Sequence, residues 1–130
     1  WWPAFDSNEQ ALQTLLAAIE AAGFVPGTQV AMALDIAASD FGRGGRYTLG
    51  LERRELDSDG LIELLLRWCD RFPVASIEDP LAEDDPQGFV AFTRQVRDRC
   101  LVAVMQGLRG VGYASGETLA TYEESLRARG

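Results

Sequence analysis

The sequence predicts an α/β fold built on a parallel sheet, and three observations carry that reading. Helical and strand-like patterns alternate along the chain. Val30-Ala31-Met32-Ala33-Leu34 and Val74-Ala75-Ser76-Ile77 are short, almost wholly apolar runs, the mark of strands buried in a parallel sheet. Both runs end on carboxylates, Asp35 in the first and Glu78-Asp79 in the second. Parallel strands joined by crossover helices account for the alternation. In such folds the carboxyl ends of the strands are where chemistry is placed.

The elements follow in order. Ser7 with Gln10 three positions later makes a capping-box pattern. Leu12, Leu15, Leu16 and Ile19 then recur at helical spacing, and Gly23 suits the position after the helix. Pro26-Gly27 turns the chain into the strand Val30–Leu34. Residues 39–57 read as a loop rich in glycine, with Arg46–Leu49 a brief strand outside the main sheet. Asp57 or Ser58 caps a helix with apolar positions Leu61, Leu64, Leu65 and Trp68, which Phe72-Pro73 ends.

After Val74–Ile77, Pro80 forbids a further ladder hydrogen bond from its own nitrogen. Asp85 and Pro86 are an N-cap and first helical residue, and Phe89, Phe92 and Val96 form the buried stripe. Cys100–Met105 reads as a third strand. Gly107, Gly110 and Gly112 mark a connector, since GLRGVG lacks both the lysine of a phosphate-binding loop and the spacing of a dinucleotide one. Ser115 caps a last helix with Leu119, Tyr122 and Leu126. The expectation is one domain over residues 1–130, with about three parallel strands alternating with four helices.

Charge and composition exclude several functions. Twenty acids against 12 bases give a net charge of −8. That opposes nucleic acid or an anionic membrane as partner, since both need basic clusters. All the bases are arginine, and histidine is absent. Triads built on histidine, lysine bases and Schiff bases are therefore excluded, which leaves carboxylates, Tyr and Cys for proton transfer. Cys69 and Cys100 read as reduced buried or half-buried thiols of a cytoplasmic protein. No run of 18 apolar residues occurs, and Trp1-Trp2-Pro3 is not the charged opening of a leader. Neither a membrane span nor a signal peptide is expected.

Neighbouring parallel strands lie about 4.8 Å apart, so Asp35 and Glu78 could share one ion. Oxygen donors without His or Cys favour a hard cation, Mg²⁺ before Ca²⁺ when water or substrate completes the shell. Each acid taken singly also reads as a turn or capping residue. Glu83-Asp84-Asp85 reads as a solvated helix face at the positive end of the helix dipole.

Two stretches then go further. Ala33-Leu34-Asp35-Ile36-Ala37-Ala38-Ser39-Asp40-Phe41 and Ser76-Ile77-Glu78-Asp79-Pro80-Leu81-Ala82-Glu83-Asp84-Asp85 strongly resemble segments of enolase (phosphopyruvate hydratase). Asn8-Glu9-Gln10-Ala11-Leu12 and Tyr47-Thr48-Leu49 also fit, and the similarity runs from about residue 7 to residue 102. Residues 115–130 are faintly similar to the family's closing helix.

The resemblance implies a partial (β/α) barrel and a Mg²⁺-dependent carbon–oxygen lyase of glycolysis. Such an enzyme dehydrates 2-phosphoglycerate to phosphoenolpyruvate. It further implies metal ligation by Asp35 and Glu78. The family's third ligand, an Asp of a Gly-Asp-Asp segment, falls where this chain reads Ala103-Val104-Met105. The family's Gly-Asp-Glu-Gly-Gly segment, lysine base and substrate-binding histidine have no counterparts here.

No catalytic residue is therefore assigned. The readings are an enolase-family fragment without turnover of its own, a non-catalytic binding or assembly module with a vestigial cation site, and a lyase completed by another subunit. A closed barrel needs eight strands and about 250 residues. Three strands leave open edges, so the chain is expected to associate with itself, swap strands or stand as a marginal open α/β layer.

Overall fold

Ser7 stands in an extended conformation and accepts a hydrogen bond from the Gln10 N–H at its Oγ, 3.1 Å away, and α1 (Asn8–Ala21) starts there. Gln10 reaches back to the Asp6 N–H (2.7 Å) instead of Ser7, so the capping box is displaced by one residue. At the other end Gly23 takes φ +82°. Its N–H bonds the Glu20 carbonyl while the Phe24 N–H bonds that of Ile19, the paired closure of a Schellman motif. Leu12 and Ile19 are buried, but Leu15, expected in the same stripe, is 45% exposed.

The structure is a computed structural model and describes residues 4–96, 99–104 and 112–113. After α1 come β1 (Met32–Asp35), β2 (Gly42–Arg43), β3 (Arg46–Leu49), β4 (Arg54–Asp57) and α2 (Ser58–Arg71). They are followed by β5 (Val74–Glu78), α3 (Pro86–Val96), β6 (Leu101–Val104) and β7 (Gly112–Tyr113). β1 begins later than Val30 because that residue bridges Pro26 and accepts the Gly27 N–H inside the preceding turn.

The main sheet has the order β1-β5-β6-β7. Its first three strands are parallel, as the alternation of elements predicts. β7 is antiparallel to β6, so Gly112 belongs to a two-residue strand and not to a connector. Gly107, Gly110, Met105 and the expected helix after Ser115 lie outside the described residues.

The stretch read as a loop holds more order than expected. β2, β3 and β4 form a separate antiparallel sheet, with Tyr47 opposite Leu56. Within β4 only Leu56 is buried, among charged neighbours, so four residues offer no readable alternation.

Sheet faces follow from register. Leu34, Ile77 and Val102 occupy one row, and the latter two are 0% and 1% exposed. They join a single core with Leu61, Leu65 and Trp68 of α2 and Phe89, Phe92 and Val96 of α3. Ala33, Ser76 and Leu101 form the next row and, by strand alternation, face the other way. Leu101 is 58% exposed there. Among the described residues the helices cover one face of the sheet.

Candidate metal centre at the strand tips

The register places Asp35 directly beside Glu78, and Glu78 beside Ala103. Residues so aligned on adjacent parallel strands project from the same face. It is the face of Ala33 and Ser76, which the helices leave open. Asp35 is exposed and Glu78 half-buried.

Three backbone bonds knit the tips beyond the ladder. Ile36 N–H donates to the Glu78 carbonyl (3.0 Å), Ala38 N–H to that of Asp79 (3.1 Å) and Asp79 N–H to that of Ala103 (3.0 Å). Ala37 and Asp79 turn the chain off their strands at φ +47° and +43°. That left-handed region costs a residue with a Cβ about 1 kcal/mol or more. The backbone is thus held in a sparse conformation beside both acids.

Asp35 has a local role as well, since its Oδ1 accepts the Ala37 N–H at 3.1 Å. Two hard oxygen donors stand side by side, and the third place in the row holds a methyl group. Among the described residues no three His, Cys, Asp or Glu side chains converge as a metal cage. Two carboxylates with water still match the way Mg²⁺ is commonly held.

The acidic tail of the same motif behaves differently. Asp85, expected on a solvated face, is 7% exposed. Its Oδ1 accepts the Gly88 N–H (3.0 Å) and caps α3 as expected. Its Oδ2 accepts from the Tyr47 hydroxyl (2.8 Å) and the Ser58 hydroxyl (2.5 Å). The Tyr47 oxygen in turn accepts the Ala82 N–H at 3.1 Å.

Burial pushes the Tyr47 phenol well above its ordinary value. The Ala82 N–H opposes that shift, and the hydrogen bond to Asp85 adds to it. Glu83 and Asp84 remain exposed, although Asp84 accepts the Gly44 N–H (3.0 Å) and the Glu83 N–H bonds Ser39 Oγ (3.0 Å). Gly88 three residues after Asp85 was the available clue. A Cβ there would stand 2.6 Å from Asp85 Oδ2, so the glycine makes room for an inward carboxylate.

A largely apolar cavity of about 360 Å³ is lined by Leu49, Leu61, Leu64 and Trp68 and bordered by Asn8 and Asp35. No arginine is among its lining residues.

Fold and site together define a class: an α/β barrel segment whose parallel strands carry acids at their carboxyl ends. Residues 1–106 match the family described as enolase, C-terminal TIM barrel domain. The chain belongs to that family, and its three parallel strands are part of the family's barrel.

Proposed function

We propose that this chain carries the cation-binding limb of an enolase-type site, with Asp35 and Glu78 as ligands of Mg²⁺. The family reaction is the dehydration of 2-phosphoglycerate to phosphoenolpyruvate in cytoplasmic glycolysis. The observation that supports the reading is the in-register pairing of Asp35 with Glu78 on the uncovered face. A divalent ion there would stabilise the enolate that develops when a proton leaves the carbon beside a carboxylate.

The chain's own residues take the chemistry no further. Proton abstraction needs a base near neutral pH, and the sequence has neither lysine nor histidine. Ala103 adds no oxygen beside Glu78. The 130 residues are therefore a single family segment that binds without turning over. A partner subunit would have to supply both the base and the third ligand. Self-association through β1, which has no second strand neighbour among the described residues, is part of the same proposal.

A non-catalytic module is the second reading, favoured by the Asp35–Ala37 turn. Two assays separate them. Incubation with 2-phosphoglycerate and Mg²⁺ should give no phosphoenolpyruvate absorbance, and turnover would overturn the proposal. Calorimetry should show Mg²⁺ binding weakened by Asp35→Ala and by Glu78→Ala. Binding unchanged in both would leave the acids as turn residues.

A further inference from the structure

We propose that a second cavity, lined by residues of α1, β4 and α2, binds an aromatic carboxylate, whose anionic head meets Arg54 and Arg67 while its ring packs on Trp68. The cavity measures about 230 Å³. Its apolar wall is Leu49, Leu64 and Trp68, and the same three residues line the larger cavity, so the two adjoin. Register and helical spacing explain the grouping. Arg54 stands directly opposite Leu49 in the β3–β4 pair, and side chains so placed share a face of the sheet. Arg67 and Trp68 follow Leu64 by three and four positions, one helical turn on, so all three lie on one side of α2. Leu64 and Trp68 are buried there, whereas both arginines are exposed.

The charges decide which ligand fits. Two acids and two bases line the cavity, Glu9 and Glu52 with Arg54 and Arg67. Both acids are already engaged. Glu52 accepts the Asn8 N–H (2.8 Å) and the Asn8 side-chain amide (3.0 Å), and Glu9 contacts the Arg71 guanidinium. Among the described residues neither Arg54 nor Arg67 has a hydrogen bond or an ion pair of its side chain. The uncommitted charge is therefore positive, a local reversal in a chain of net charge −8.

A carboxylate suits that pair, because it accepts guanidinium N–H donors in charge-assisted hydrogen bonds. A cationic ligand would meet two unengaged guanidinium groups instead. The wall supplies the preference for a ring. Trp68 is 6% exposed, and its buried indole N–H has no acceptor among the described residues. Aromatic rings pack on an indole in offset or edge-on arrangements, and the adjoining cavity gives the ring room. None of the lining residues belongs to the strand-tip pair or to the Asp85 network, so the site stands or falls separately from the metal centre.

The test titrates the full chain, without Mg²⁺, with 3-phenylpropionate while backbone amide and indole N–H NMR signals are recorded. The Trp68 indole signal, identified by its loss in Trp68→Phe, should move saturably together with the Arg54 and Arg67 amides. 3-Phenylpropanamide, which keeps the ring and lacks the charge, should bind more weakly by about tenfold or more. Arg54→Gln and Arg67→Gln, both at exposed positions, should each weaken binding of the acid by about threefold or more. Equal affinity for acid and amide would overturn the proposal, as would a Trp68 indole signal that stays in place. Shifts spread evenly over the chain's arginines, the mark of an adventitious ion only, would overturn it too. So would unchanged affinity in both arginine variants. The comparison of acid with amide uses the unaltered chain and holds however the variants fold.

Discussion

Asp35 and Glu78 at the strand tips contrast with Asp85 only a few residues further on. The tip acids are exposed and half-buried, sit beside two left-handed backbone turns, and among the described residues use one side-chain hydrogen bond, from Ala37 to Asp35. Asp85 is buried and accepts three hydrogen bonds from α3, β3 and α2. One carboxylate is committed to holding elements together, while the others stand side by side at the strand tips. The contrast separates the buried structural acid from the strand-tip acids proposed as ligands. Burial and donor count decide which is which.

Removing Asp85 tests the structural side most severely. Asp85→Ala leaves the Tyr47 hydroxyl, the Ser58 hydroxyl and the Gly88 N–H without their acceptor. It should cost about 3 kcal/mol and lower the thermal midpoint by about 10 °C. A loss below 1 kcal/mol would mean that the network is ornamental. Gly88→Ala places a Cβ against the same carboxylate and should cost about 2 kcal/mol in denaturant unfolding, despite alanine's better helix propensity.

Tyr47 sharpens the same side through pH. Its pKa is raised on folding above the ordinary value of 10.0. The stability it contributes is thus fully present below pH 10.0 and lost as pH rises from there toward the folded-state value. Tyr47→Phe should lower stability by about 2 kcal/mol at neutral pH, because the Ala82 N–H loses its acceptor. It should also flatten the alkaline fall in thermal midpoint, and an unchanged alkaline limb would place the titration elsewhere.

The tip acids should respond in the opposite sense. Asp35→Asn with Glu78→Gln should weaken Mg²⁺ binding by about tenfold or more and change stability by about 0.5 kcal/mol or less. Ala37→Gly, at φ +47°, should raise stability by about 0.5 kcal/mol in denaturant unfolding.

Much of this was legible in the chain. The parallel strands showed as apolar runs, and Ser7, Asp57 and Asp85 announced helix starts by residue type. Tertiary pairings were not legible. β4 is four residues with one buried side chain, and β2 and β7 are two residues each, too short to show a period. Asp85 looked like a surface acid because nothing local says that Tyr47 and Ser58, 38 and 27 positions away, will meet it. Leu15 fits the helical stripe, yet the structure leaves it exposed.

The central claim is that a divalent ion goes to the strand tips and not to the other acids of a chain with 20 of them. Titrating Mn²⁺, a paramagnetic stand-in for Mg²⁺, while recording backbone amide NMR signals would test this directly. Broadening should centre on Ile36, Ala37, Asp79 and Ala103 at low ion concentration and vanish in the Asp35→Asn, Glu78→Gln variant. Broadening centred on Glu83 and Asp84, or spread evenly over the acidic surface, would contradict the assignment.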